Sequence, residues 1–217
     1  MTFSLIARCP ESGMLGVVTA TSGIAVGARV PWVRAGVGAI ATQHRTDPRL
    51  GPMGLQLLAE GRSPEAVLAA LTAATPGPEW RQIGVLDAAG RAAVFHGARV
   101  KPVFGAAEGP GVLALGNILS DARVPAAMVE AFLALPEAPF PERLLAALAA
   151  GEEAGGEIAP LRSAALLIAR AEPIPYADLR VDLSAAPIAE LRRLWQAYAP
   201  EAELILRRAL DPAGCGP

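Results

Sequence analysis

The chain opens on Thr2-Phe3-Ser4-Leu5-Ile6-Ala7-Arg8-Cys9, then Pro10-Glu11-Ser12-Gly13, then Met14-Leu15-Gly16-Val17-Val18-Thr19-Ala20-Thr21. Two apolar runs of strand length flank a turn that holds both proline and glycine, the pattern of an antiparallel hairpin. Beyond this hairpin, strands and helices come in blocks. Val37 to Gln43 is a third apolar run of strand length, and Asp47-Pro48 signals a turn. Pro52 to Glu60, closed by Gly61, and Pro64 to Ala74, opened by Ser63 as N-cap with Pro64 and Glu65 behind it, predict two helices. Gln82 to Leu86 and Arg91 to Phe95 predict a hairpin across Asp87-Ala88-Ala89-Gly90, and Val112 to Leu115 a further strand. Pro125 to Leu135 and Pro141 to Ala150 predict helices, separated by the Glu152 to Ile158 loop from a strand at Ser163 to Ala169. A short strand at Leu179 to Val181 and two closing helices, Pro187 to Tyr198 and Pro200 to Leu210, complete the chain, with 211–217 as a frayed tail. Such blocks argue against a doubly wound parallel sheet. They favour an α+β domain of layered antiparallel sheets with helices outside. No composition shift divides the chain, so residues 1–217 are read as one domain.

Composition sets the class. The 217 residues are 53% hydrophobic and 18% charged, too apolar for a disordered chain and long enough for a sizeable core. A formal charge of −2 gives no global attraction to nucleic acid or to an anionic membrane. No apolar run approaches the roughly 20 residues that span a bilayer, and the N-terminus lacks a basic signal-peptide segment, so a cytoplasmic protein is expected. Cys9 and Cys215, at opposite ends, are read as reduced thiols. A mean hydropathy of +0.37, with Leu191, Leu194, Trp195, Tyr198, Leu204 and Leu206 on the closing helices, leads us to expect a homodimer.

Several chemical motifs fail on context. Gly36-Val37-Gly38-Ala39-Ile40-Ala41 fits the dinucleotide fingerprint in letters, but the residues after it read as strand where a helix is required. With two histidines, His44 and His96, and no ligand spacing, no metal is expected, and no organic cofactor either. Thr2 remains. Cleavage before it would join a hydroxyl nucleophile and an α-amine base in one residue at the head of a strand; a protein that merely begins Met-Thr is the alternative. Asn117, after Gly116, has an amide able to donate to an oxyanion, or is ordinary turn chemistry. In the His44-Arg45-Thr46-Asp47 loop, Arg45 suits a carboxylate, or the loop is simply solvated, with His44 bonded to Asp47 or to backbone.

The opening strand, then Ala25-Val26-Gly27-Ala28, the block from Pro31-Trp32-Val33-Arg34 through Ala41-Thr42-Gln43, Gly51 to Leu55, Gly61 to Glu65, Arg81 to Val85, Gly116-Asn117-Ile118-Leu119, Ser163 to Leu167, Asp178 to Asp182 and Ala189 to Leu194 come in the order of one known family. On this ordered set the chain resembles the domain-of-unknown-function 1028 family over about residues 2 to 195. The resemblance implies an N-terminal-nucleophile (Ntn) hydrolase-like fold, a four-layer αββα sandwich of two antiparallel sheets flanked by helices. The usual chemistry of that superfamily is hydrolysis of an amide bond, and the first hypothesis is therefore amide hydrolysis on a small-molecule substrate, with Thr2 and Asn117 catalytic and Ser22, Gln43, His44 and Arg45 binding the substrate. The other reading is a non-catalytic binding or assembly protein on the same fold. Ser22, Leu115 and Arg162 depart from the residues usual in the family.

Overall fold

A computed structural model describes residues 1–214, so Cys215 and the end of the expected tail lie outside the described residues. The first hairpin forms as expected, with strand β1 at Thr2–Arg8 and β2 at Leu15–Thr21, paired antiparallel with Ser4 opposite Thr19. Next come β3 (Pro31–Arg34), β4 (Gly38–His44), helices α1 (Leu50–Ala59) and α2 (Pro64–Ala74), and strands β5 (Arg81–Asp87), β6 (Ala92–His96), β7 (Phe104–Gly109) and β8 (Val112–Asn117). Helices α3 (Val124–Leu133) and α4 (Phe140–Glu153), strands β9 (Ser163–Ala169) and β10 (Pro175–Val181), and helix α5 (Pro187–Leu210) complete the order.

The strands make two antiparallel sheets, one of six strands in the order β10-β9-β2-β1-β8-β7 and one of four in the order β3-β4-β5-β6. Helices α3, α4 and α5 cover the outer face of the larger sheet, and α1 and α2 cover the smaller one. The result is an α+β sandwich of four layers with three apolar interfaces. Between the larger sheet and its helices lie Phe3, Leu5, Val18, Ala114, Phe132 and Leu148. Between the sheets lie Ile6, Val17, Ala39, Leu86, Leu113 and Leu115. Between the smaller sheet and α1 and α2 lie Ile40, Leu58, Val67, Leu71 and Ile83. Strand β1 thus turns Phe3 and Leu5 one way and Ser4 and Ile6 the other, the two-residue period of a strand. Both faces are covered, which is why the run reads as apolar throughout.

Local signals are honoured where they are strong. Ser63 accepts the Ala66 N–H at 3.3 Å with Pro64 in the first turn, and Gly61 takes φ 83° just past α1. Gly51 and Gly54 let α1 lie against Trp32 and Ile40, where a Cβ would collide. The glycine-rich motif at Gly36 is the β3–β4 turn, and the residues after it form β4, so no helix N-terminus faces it.

Three expectations are corrected. The two closing helices are one helix, α5, with Pro200 inside it. A proline removes one intrahelical bond to the residue four before it, and the packing of Leu191, Trp195 and Leu206 on either side carries the helix through. Leu194 and Tyr198 are also partly buried there, Trp195 Nε1 donates to Glu142 at 2.7 Å and Tyr198 Oη to the Tyr176 carbonyl at 3.0 Å. The short strand expected at Leu179 to Val181 is the seven-residue β10. Strands β3 and β7, which the sequence does not announce, are the edges of their sheets.

Candidate active site

The space between the sheets has two characters. At one end it is apolar; at the other the inward positions are Thr2, Ser4, Thr19, Thr21, Gln43, Gln82 and Asn117, all buried. Register explains the gathering. Thr2 pairs with Asn117 of β8, Thr21 ends β2 on the other side, and on the facing sheet Gln43, Gln82 and His96 stand in one row across β4, β5 and β6.

One backbone carbonyl orients the buried amides. Gly116 O can only accept, and Gln82 Nε2 lies 2.8 Å from it, so the other end of that amide must be the acceptor. Gln82 Oε1 then receives Gln43 Nε2 at 2.7 Å and Asn117 Nδ2 at 2.8 Å. Gln43 Oε1 accepts from Ser4 Oγ at 2.7 Å, and its Nε2 also lies 3.4 Å from the Thr2 carbonyl. Gln82 Nε2 is 2.8 Å from His96 Nδ1, which therefore accepts and is unprotonated, and burial lowers the pKa of that ring. The chain of constraints ends on Asn117. Its NH2 is committed to Gln82, and its Oδ1 is buried with no partner in the protein.

Thr2 heads this network. Its hydroxyl and that of Thr21 both donate to the Met1 carbonyl, and the two hydroxyls are 3.4 Å apart. The Gly23 N–H donates to Thr21 Oγ1 at 3.3 Å, which leaves the Thr21 proton free to point at that carbonyl. Ser22 lies beside the Met1 side chain, Oγ to Sδ 3.6 Å, and its N–H donates to Glu157 Oε2 at 2.9 Å. Glu157 is 7% exposed, its Oε1 has no partner, and burial raises its pKa. Burial lowers the pKa of the Met1 amine, opposed by the attraction of Glu157.

The remaining candidates sit apart. His44 Nδ1 donates to the Trp80 carbonyl at 2.8 Å, while its Nε2 accepts from the Lys101 N–H at 3.4 Å, and burial lowers the pKa of the ring. Its partner is thus backbone rather than Asp47, whose carboxylate takes Arg49 instead. Arg45 is exposed and stacks its guanidinium over Trp80 at 3.8 Å. So Thr2, Asn117 and Gln43 converge, Ser22 stands at the rim beside Met1, and His44 and Arg45 border the rim through Trp80. Three non-glycine residues with φ between 53° and 68°, Ala25, His44 and Ile118, end or follow strands at this same end. Each costs about 1–3 kcal/mol, and such residues cluster at functional sites. Sequence reasoning misses Thr21, Gln82 and Glu157. The polar alternation Thr19, Thr21 in a strand otherwise apolar is the available signal for Thr21.

Among the described residues no group of three or more His, Cys, Asp or Glu side chains is placed to hold a metal ion. A groove of about 520 Å³ opens at the far end of the sandwich between Arg34, Ile168 and Pro173. Its carboxylate, Glu172, is tied to Arg170, and its lining lacks the buried polar cluster found at the Thr2 end.

No curated protein is similar enough to count as a match. The crystal structure of protein SPO2555 from Silicibacter pomeroyi, a DUF1028 protein, superposes with a TM-score of 0.86 at 36% identity, over 91% of this chain and 86% of that one. The pattern of DUF1028, a family of unknown function, matches residues 2–191. On these two likenesses, and with the ordered sequence blocks now placed on one sandwich, the chain belongs to the DUF1028 family.

Proposed function

We propose that the chain is an Ntn-type amidohydrolase, cleaving the C–N amide bond of a small cytoplasmic substrate once the Met1–Thr2 bond has been cut. The observation that carries the proposal is the placement of Thr2: first residue of a central strand, hydroxyl turned into the polar end between the sheets, with Asn117 and Thr21 on its flanks. The four-layer architecture agrees with the Ntn assignment. Thr2 Oγ1 forms a bond to the acyl carbon, and its proton passes to the freed α-amine of Thr2. That amine returns the proton to the departing nitrogen as the C–N bond breaks, and water then cleaves the ester and restores the hydroxyl. The Thr21 hydroxyl, directed by Gly23, supplies a hydrogen bond to the developing oxyanion. Asn117 contributes an acceptor: its unpartnered Oδ1 stands on the strand beside Thr2, suited to an N–H of the freed amine. Gln43 and Gln82 hold both strands in place.

In processed protein, Thr2→Ala abolishes turnover of amide substrates and Thr2→Ser retains part of it. Full activity in the alanine variant, or in chains whose intact mass includes Met1, defeats the mechanism. The second reading, a binding protein on the same fold, draws on the degree to which Ser4, Gln43 and Gln82 satisfy one another. It predicts ligand binding by wild type with no turnover. The proposal extends to a homodimer, supported by Ile158 and Leu183, each 66% exposed; light scattering at micromolar concentration tests it, and a monomer contradicts it.

A further inference from the structure

Building on the reading of Thr2 as nucleophile, we propose that the acyl part of the substrate carries a free amino group held by Glu157, so that the substrate class is an α-aminoacyl amide. The Met1 residue stands where such a group would sit. Its carbonyl receives both threonine hydroxyls, which marks where the scissile carbonyl of a substrate would meet the nucleophile. Its side chain lies along Ser22. The neighbour beyond Ser22 is Glu157, whose Oε2 takes the Ser22 N–H and whose Oε1 is buried without a partner.

A carboxylate that deep is strongly disfavoured unless a cation or a donor reaches it. The nearby guanidinium does not supply it: Glu157 Oε1 has no partner, and Arg29 turns its Nη1 to the carbonyls of Ile24 and Ala25 at 2.6 and 2.7 Å. The cation that remains is an amine attached next to the carbonyl, as in Met1 itself, which Glu157 attracts electrostatically without forming an ion pair with it, so that Oε1 stays open to a donor brought by the substrate. The groups acting on Glu157 are then Ser22 and Thr21 from the β2 end and the Met1 amine, while Arg29 and Lys101 act on that amine. The loop that bears Glu157 is pinned to the strand end that bears Asn117, through the Leu119–Glu157 bridge and the Ser120 N–H on the Gly156 carbonyl at 3.0 Å. Ammonium anchor and catalytic end are therefore held by one short segment.

The experiment uses processed chain and two probes, L-methionine p-nitroanilide and its N-acetyl counterpart. Wild type should favour the free amine by roughly tenfold or more in kcat/KM, the range of one charge-assisted hydrogen bond. Glu157→Gln, which keeps an oxygen for Ser22, should erase that preference mainly through KM, lowering kcat/KM for the free-amine probe far more than for the acetylated one. Equal turnover of both probes by wild type overturns the inference. Equal losses on both in the variant also overturn it, since Glu157 would then serve the Thr2 amine or the fold. Binding is read separately in processed Thr2→Ala protein by calorimetry with L-methioninamide and N-acetyl-L-methioninamide. Selective binding of the free amine that Glu157→Gln removes sustains the anchor even if wild type turns over neither anilide, an outcome that would count against the nucleophile alone. No selectivity in this titration overturns the anchor whatever the kinetics show.

Discussion

At the scale of single residues, one hydrogen-bond acceptor decides the chemistry of the network. The Gly116 carbonyl fixes Gln82, Gln82 fixes Gln43 and Asn117, and the same amide requires an unprotonated Nδ1 on His96. Protonating His96 would face its new N–H against the Gln82 NH2. His44 is also held below its ordinary pKa by burial. A histidine whose pKa falls on folding contributes stability that is present above the unfolded value of 6.5 and lost as pH drops through the lowered folded value. The urea midpoint should therefore fall as pH is lowered from about 7 to about 5, and His96→Gln should make the fall shallower. An unchanged slope in the variant would show that His96 is free to protonate in the fold. Thr2, Asn117 and Gln43 are legible in the sequence because each sits at a marked place: a chain start, a Gly-Asn turn, the end of an apolar run. Glu157 is not, because its partner Ser22 is 135 positions away and only the fold brings them together.

At the scale of elements, the strands that escape the sequence share a cause. Phe104–Gly109 is half-exposed along its length and Pro31–Arg34 begins with a proline, both marks of edge strands that gain order from one neighbour rather than from an apolar pattern. Central strands and capped helices carry their own signals. The turn before α1 shows how such a signal acts. Asp47 reads as a turn former; in the fold it receives the Arg49 backbone N–H at 3.2 Å, its guanidinium at 2.9 and 2.8 Å, and Thr75 Oγ1 at 3.1 Å. It thus ties the entrance of α1 to the exit of α2. The side-chain bond from Arg49 is the main cause holding its carboxyl down at about 2. With the folded pKa depressed, this stability is present above the unfolded value of 3.8 and lost as pH falls through about 2. Asp47→Asn should cost on the order of 2 kcal/mol at neutral pH and about nothing near pH 2. Chemical denaturation at the two pH values measures both, and an equal cost at each would assign the effect to shape rather than charge.

At the scale of the whole molecule, the layer between the sheets poses a question of energy. Two of the three apolar interfaces run the length of the sandwich with aliphatic and aromatic side chains, and the third turns polar at the Thr2 end. A buried amide gains little net stability over an apolar group of the same shape, yet a lone partner left behind costs about 1–3 kcal/mol. Gln82→Leu alone takes the partner of Asn117 Nδ2, removes the side-chain donor to the Gly116 carbonyl, and leaves Gln43 Nε2 only its 3.4 Å contacts with the Thr2 and Leu115 carbonyls. It should lower the unfolding free energy by roughly 3 kcal/mol or more. Replacing Ser4, Gln43, Gln82 and Asn117 together by Ala, Leu, Leu and Leu removes the partners with the network. The combined loss should then be clearly smaller than the sum of the four single losses, with a coupling of about 1–3 kcal/mol, and turnover should vanish. Urea titrations of the four single variants and the quadruple variant give the cycle directly. Additive losses would mean that the four side chains act independently and that their mutual hydrogen bonds do not organise this end of the layer. Strong coupling with lost turnover would mean that the polar end is kept at a cost in stability for the sake of the site it orders.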